Sequence, residues 1–197
     1  MATLKASKSI GVIAEDISDV EVVSLLLEKY VSKNQFAIRR FVGNGCGKLR
    51  NKCKTWAETL VKSGCEHVLV FHDLDRQIEA ELRATLEKKL PKEKFPTTLI
   101  VIPVEEMEAW LLSDEDALRS VFSLKATPKP YPNCELIQSP KEEIGRLIWT
   151  SARKRYLNTV HNQRIAEKAS LAKLRRCASF LPFDQYITTN VFVPAAG

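Results

Sequence analysis

The chain has 197 residues, 45% of them apolar and 27% charged, which is enough to bury a real core and is the composition of an ordinary soluble domain. No apolar run approaches the roughly 20 residues of a membrane span, and the apolar segment in MATLKASKSIGVIAED is too short for a signal peptide, so the expected setting is the cytoplasm without a membrane partner. Cys46, Cys53, Cys65, Cys134 and Cys177 contain no Cys-x-x-Cys pair, which argues against a disulfide framework and a zinc site and reads as reduced, structural thiols.

SIGVIA at 9–14 reads as a short buried strand and SDVEVVSLLLEKYVSK as a helix, with Ser18 as N-cap and Glu21 completing a capping box. QFAIRRFV at 35–42 is a second strand, followed by the loop GNGCGKL and a helix from about 48 to 63 that ends at Gly64. The strand HVLVFH, the charged helix IEAELRATLEKKL closed by Pro91, and the strand TTLIVIPV at 97–104 complete the series. Helical crossovers between apolar strands indicate an α/β fold with a mainly parallel sheet of about four strands flanked by helices, and such sheets bind ligands beyond the strands' carboxyl ends. After residue 122, SLKATPKPYPNCELIQSP carries four of the nine prolines and reads as an irregular connection. KEEIGRLIWTSARKRYL, capped by Ser139 with Pro140 first, and IAEKASLAKLRRCASFL then read as helices. The expected division is an α/β domain at 1–122 and a helical appendage at 123–197 packed on it, without an internal repeat.

Three strand ends carry acids: Glu15-Asp16, Asp73-Leu74-Asp75 and Glu105-Glu106-Met107-Glu108. Neighbouring parallel strands would bring them to one edge, where mutual repulsion demands protons or a counter-charge. Carboxylate oxygens suit Mg²⁺ or Mn²⁺, and the strand period would aim Asp73 and Asp75 to one side with Leu74 opposite. The bland alternative is helix capping, by Asp73 or Asp75 of the helix near Gln77 and by Asp16 or Asp19 of the first.

The net charge is +6, concentrated in KLRNKCK at 48–54 and in 153–176, which favours a polyanionic partner such as nucleic acid. GNGCGKLRNK lacks the Gly-Lys-Ser/Thr ending of a nucleotide-binding P-loop; Lys48, Arg50 and Lys52 either contact a nucleic-acid backbone or border a plain turn. Lys154, Arg155, Lys173, Arg175 and Arg176 form a second basic surface or a solvated face. His72 should point away from Asp73 as a core residue, with metal ligation the lesser reading; His161, among basic helices, reads as a surface residue ahead of a phosphate contact, and His67 carries no argument. Trp56, Trp110 and Trp149 read as core or domain contacts.

The order strand-Glu, then strand-Asp-x-Asp, in an alternating α/β chain resembles the Toprim domain of topoisomerases, bacterial primases, recombination proteins and the overcoming-lysogenization-defect (OLD) nucleases, over roughly residues 8–112. The chain is more closely similar to small prokaryotic proteins with a stand-alone Toprim-like domain, through Glu15, the loop Gly43 to Lys48, Asp73-x-Asp75, PVEEMEAWLLSD at 103–114, SPKEEI at 139–144 and the helices near Ala166 to Phe180. The resemblance implies that Glu15 is a general base, acid or metal ligand, that Asp73 and Asp75 hold Mg²⁺, and that Glu108 is a supporting ligand ahead of Glu106. Asp16 departs from the glycine that commonly follows the first glutamate, and Asp19 matches a further acid.

The function so implied is Mg²⁺- or Mn²⁺-dependent phosphodiester cleavage of DNA or RNA, in phage defence or DNA repair beside an ATPase partner. The alternative is a non-catalytic module that binds nucleic acid or a protein, favoured by Asp16 in the glycine's place. The helical appendage offers either a homodimer face or a docking site. A phosphorelay receiver is disfavoured by the doublet Asp73-x-Asp75 and by the absence of the fifth-strand lysine.

Overall fold

The computed structural model describes residues 8–192, so residues 1–7 of the segment weighed against a signal peptide lie outside it. Four strands, β1 Lys8–Ala14, β2 Phe36–Val42, β3 His67–Phe71 and β4 Thr98–Val101, form one all-parallel sheet in the order β2-β1-β3-β4. The crossovers are α1 Ile17–Leu27, α2 Cys46–Lys62 and α3 Glu79–Lys89. Beyond β4 lie α4 Glu108–Leu112, α5 Glu115–Phe122, α6 Pro140–Ala152, α7 Asn158–Lys168, α8 Leu171–Leu174 and α9 Leu181–Tyr186. Among the described residues no helix is long and apolar enough to cross a membrane.

Both sheet faces are buried, as the two-residue side-chain period of near-continuous apolar strands requires. Val12 and Ala14 of β1 and Leu69 and Phe71 of β3 join α1 and the C-terminal helices in one core. Ile13, Val68 and Val70 point the other way, onto Leu49, Ala57 and Leu60 of α2 and Leu82 and Leu86 of α3. Gly11 allows α2 to lie close: a Cβ there would stand 2.9 Å from Leu60 Cδ1 and 3.1 Å from its Cβ. The first core centres on Trp110, fully buried against Phe71, Phe180 and Phe183, with its indole N–H donating to Ser179 Oγ at 2.7 Å. The segment 123–192 thus supplies one wall of the sheet's own core.

Several local expectations are corrected. Asp16, not Ser18, caps α1: its Oδ1 accepts from the Ser18 N–H at 2.9 Å, and Asp19, not Glu21, completes the box by accepting from the Asp16 N–H. α1 ends at Leu27 because the next turns tighten, with Lys29 and Tyr30 N–H donating to Leu26 and Leu27 carbonyls. α2 starts at Cys46, two residues early, behind Gly45 at φ +119°. β4 stops at Val101, short of Pro103, which has no N–H for a ladder. Ser139 makes no capping bond; the Lys141 N–H donates to Glu106 Oε2 at 3.0 Å.

The expected helix at 165–181 is broken twice, each time by a carboxylate that takes backbone N–H groups from it. Ser170 N–H donates to Asp114 Oδ2 at 2.7 Å, and Ala178 and Ser179 N–H donate to Glu135. Trp149 is 55% exposed rather than buried. Ile144 and Ile148 are the buried stripe of α6, and the next residue turns about 100° away from it; the Arg153 guanidinium lies 5.8 Å from the Trp149 ring centre.

Replacing Gly11 by alanine should lower stability by about 1–3 kcal/mol, read as a lower urea midpoint, because Leu60 and α2 must yield. An unchanged midpoint would show that the α2 contact is loose.

Candidate functional site

The strand order reverses between β1 and β3: the chain leaves β1 toward β2 on one side and returns to β3 on the other. The crevice beyond the carboxyl ends of these two strands is the usual ligand position of such a sheet. Glu15 follows β1 there, and Asp73 and Asp75 follow β3.

Backbone bonds carry the sheet's order past the strand ends. Glu15 C=O accepts from Asn44 N–H at 2.8 Å, Leu74 N–H donates to the Pro103 carbonyl at 3.0 Å, and Asp75 N–H to the Glu105 carbonyl at 3.2 Å. Asp73 N–H donates to Glu15 Oε1 at 3.2 Å, while Asp73 Oδ1 accepts from Met107 N–H at 3.1 Å, so one aspartate ties the β1 end to the segment after β4. β3 has ended by Asp73, and the strand period does not aim the pair. Asp75, Arg76 and Glu105 instead adopt left-handed φ of +49°, +60° and +59°, a conformation that costs ordinary residues energy and gathers at functional sites. Leu74 packs at the edge of the α2–α3 core.

The capping alternative divides between the acids. Asp16 and Asp19 cap α1, whereas α3 has no side-chain cap and neither Asp73 nor Asp75 serves one. Asp16 is therefore held at the helix start. Asp19 is buried all the same, as is Glu108 at the first position of α4. Glu108 Oε1 accepts from Asn162 Nδ2 at 3.0 Å, and Asn162 Oδ1 accepts from the Tyr156 hydroxyl. Glu106 is spent on α6, through Lys141.

His72 corrects the expectation that it turns from Asp73. It is fully buried, with Nδ1 2.7 Å from the Asp73 carbonyl oxygen and 3.1 Å from Glu15 Oε1. A nitrogen facing two oxygens must carry the proton, and burial lowers the ring's pKa, so the imidazole is neutral and donates from Nδ1. Its Nε2 is buried without a hydrogen-bond partner.

The electrostatics follow from crowding. Burial and the charge of Asp75 push the Glu15 carboxyl up to about 7. Burial, then the charges of Glu108, Asp16 and Glu15, push Asp19 up to about 7. Asp73 lies well above the ordinary carboxylate range through burial and the charges of Asp19, Glu108, Glu15 and Asp75. Either protons or a cation must relieve this set.

Of the four expected ligands, Glu15 and Asp75 come within reach of one ion. With Cys46 Sγ, their donor atoms lie within 4.8 Å of one another. Ligands about 2.1 Å from one octahedral ion stand at most about 4.2 Å apart, so a slight closure completes the set. Asp73 and Glu108 are not in that triad, and Asp19 and Glu108 are buried. The oxygen donors fit Mg²⁺ or Mn²⁺, and the thiol tilts the choice toward the softer Mn²⁺.

Of the expected phosphate contacts, Lys48 and Lys52 are exposed on α2, whereas Arg50 is engaged, donating to Gln77 Oε1 at 2.8 Å and lying 3.8 Å from Cys46 Sγ. Sequence reasoning missed Cys46, Tyr156 and Asn162. For Cys46 the glycine-rich loop at the start of α2 is a usable signal; a lone asparagine in a polar helix is none.

The fold and site define an α/β domain with a carboxylate-lined crevice at its topological switch point. A family model described as "Domain of unknown function (DUF4276)" matches residues 14–187, and the chain belongs to that family. No curated protein and no solved structure matches it.

The raised carboxyls give stability a pH signature. Glu15 and Asp19 keep protons in the folded state up to about pH 7 that the unfolded chain releases near pH 4, so the stability these two groups contribute to the metal-free protein is full below about pH 4 and is lost as pH rises through 7. The urea midpoint in EDTA, taken relative to that of Asp19→Asn, should fall across this window. A flat or rising difference would contradict the crowding.

Proposed function

We propose that the chain is a Mg²⁺- or Mn²⁺-dependent phosphodiesterase acting on nucleic acid, a nuclease of Toprim-like type. The observation that carries this is the convergence of carboxyl groups from the ends of three adjacent strands on one crevice, with Glu15 and Asp75 in reach of one ion. A bound divalent cation would neutralise the scissile phosphate and lower the pKa of a water. Glu15 would either ligate the cation or take the proton from that water: its Oε1 is held by Asp73 N–H and His72 Nδ1, and before a cation binds burial and the charge of Asp75 raise its carboxyl to about 7. Lys48 and Lys52 present charge to the backbone of a strand entering over α2.

Asp16, the departure from the Toprim pattern, is committed to capping α1, which supports an open crevice rather than a blocked one. The resemblance extends the proposal to phage defence or DNA repair with an ATPase partner, in the cytoplasm.

The test is cleavage of supercoiled plasmid and of labelled single strands with Mg²⁺, Mn²⁺ or EDTA. Metal-dependent cutting should fall about 10²-fold or more in Asp75→Asn, with an unchanged circular dichroism spectrum. Full activity in that variant would remove the proposed site, and metal binding without cutting by the wild type would favour a non-catalytic binding module.

A further inference from the structure

We infer that the cavity between the starts of α2 and α3 is a phosphate subsite, in which Arg50 and Arg76 grip the phosphodiester one nucleotide along from the phosphate in the carboxylate crevice. This rests on the nucleic-acid function proposed above and gives the bound strand its path.

The cavity measures about 310 Å³, at the small end of ligand pockets, and is lined by Arg50, Arg76, Gln77, Ile78 and Leu82. It adjoins the crevice through both arginines. Arg76 directly follows Asp75 in the chain, and Arg50 Nη2 lies 3.8 Å from Cys46 Sγ, so each neighbours a member of the Glu15–Cys46–Asp75 set.

Two guanidinium groups on one small cavity favour an anion between them. Among the described residues neither forms an ion pair with an acid. Glu81 also lines the cavity, but it is exposed and pairs with neither. Arg50 is nonetheless fixed, because its Nη1 donates to Gln77 Oε1 at 2.8 Å while Gln77 Nε2 donates to the Leu74 carbonyl at 3.1 Å. A flip of that amide would set its NH₂ group against the guanidinium, donor against donor. Arg50 is thus positioned before a ligand arrives. Arg76 makes one long side-chain bond, Nη2 to Ser139 Oγ at 3.5 Å, and can turn onto a ligand.

The planar fork of an arginine matches two oxygens of one phosphate. Ile78, 63% exposed, offers apolar contact to the attached sugar. A ligand that fills this cavity and also reaches the crevice must carry phosphates in series, as a nucleic-acid strand does.

The test is fluorescence anisotropy of a short labelled single strand titrated with the full chain over a range of KCl, in EDTA and again in Ca²⁺. It compares the wild type with Arg50→Gln, Arg76→Gln and Lys88→Gln, the last removing an exposed charge at the far end of α3. Each arginine variant should weaken binding about tenfold or more and lower the slope of log affinity against log salt by about 0.7, the share of one single-strand phosphate contact. Lys88→Gln should do neither, and strands with a 5′-phosphate or a 5′-hydroxyl should bind alike. Binding within twofold of wild type in both arginine variants, equal losses in Lys88→Gln, or a requirement for the terminal phosphate would overturn the subsite. If Arg50→Gln does not fold, Arg76→Gln decides alone, since Arg76 is exposed in the turn before α3. The expected shifts in a protein that cuts no plasmid would uphold the subsite and remove the nuclease. Absence of strand binding by the wild type in both buffers would remove the subsite and the nucleic-acid function together.

Discussion

Carboxyl groups crowd the reversal point of the sheet, and the need to hold like charges there governs much of the surrounding structure. Glu15, Asp73 and Asp75 arrive from the two central strands, Glu108 from the turn after β4 and Asp19 from the first helix. Water is partly excluded, so repulsion is poorly screened and pKa values rise. The protein offsets it with backbone N–H donors at Asp16, Asp73 and Met107 and with one neutral histidine. None of these adds a full positive charge; the Arg50 guanidinium does, and it draws the Glu15 carboxyl down without cancelling the rise from burial and Asp75. A divalent cation would supply what the local donors do not, which supports the metal-dependent function proposed above.

Strain concentrates at the same place. Asp75, Arg76 and Glu105 take left-handed conformations without being glycine, each costing on the order of 1–3 kcal/mol. The bonds from Leu74 to Pro103 and from Asp75 to Glu105 hold these loops together, so the strain is locked into the β3 and β4 exits. The C-terminal helices contribute as well. Ser179 takes the Trp110 indole N–H and the Val104 N–H, and α6 starts on Glu106, so the segment carrying Glu108 is held from both sides.

The sheet was legible because its strands are short apolar runs separated by amphipathic helices, a pattern that leaves parallel pairing almost alone. Glu15, Asp73 and Asp75 were legible for the same reason: residues just past a parallel strand lie at the ligand-binding edge. Less legible were features set by tertiary bonds. The sequence 165–181 has helical periodicity throughout, yet Asp114 and Glu135, both distant in sequence, take the N–H groups at 170 and 178–179. Trp149 looks like core by composition, and only the phase of α6 relative to Ile144 and Ile148 places it in water. Asn162 gains meaning solely from Glu108, 54 residues earlier in the chain.

The most direct measurement of the central claim is anomalous X-ray scattering from crystals of the protein grown or soaked with Mn²⁺. A single strong peak bounded by Glu15, Asp75 and Cys46, lost in Asp75→Asn, is the expected result. Anomalous density elsewhere on the surface, with the crevice free of it at saturating Mn²⁺ and neutral pH, would contradict a metal role for these carboxylates.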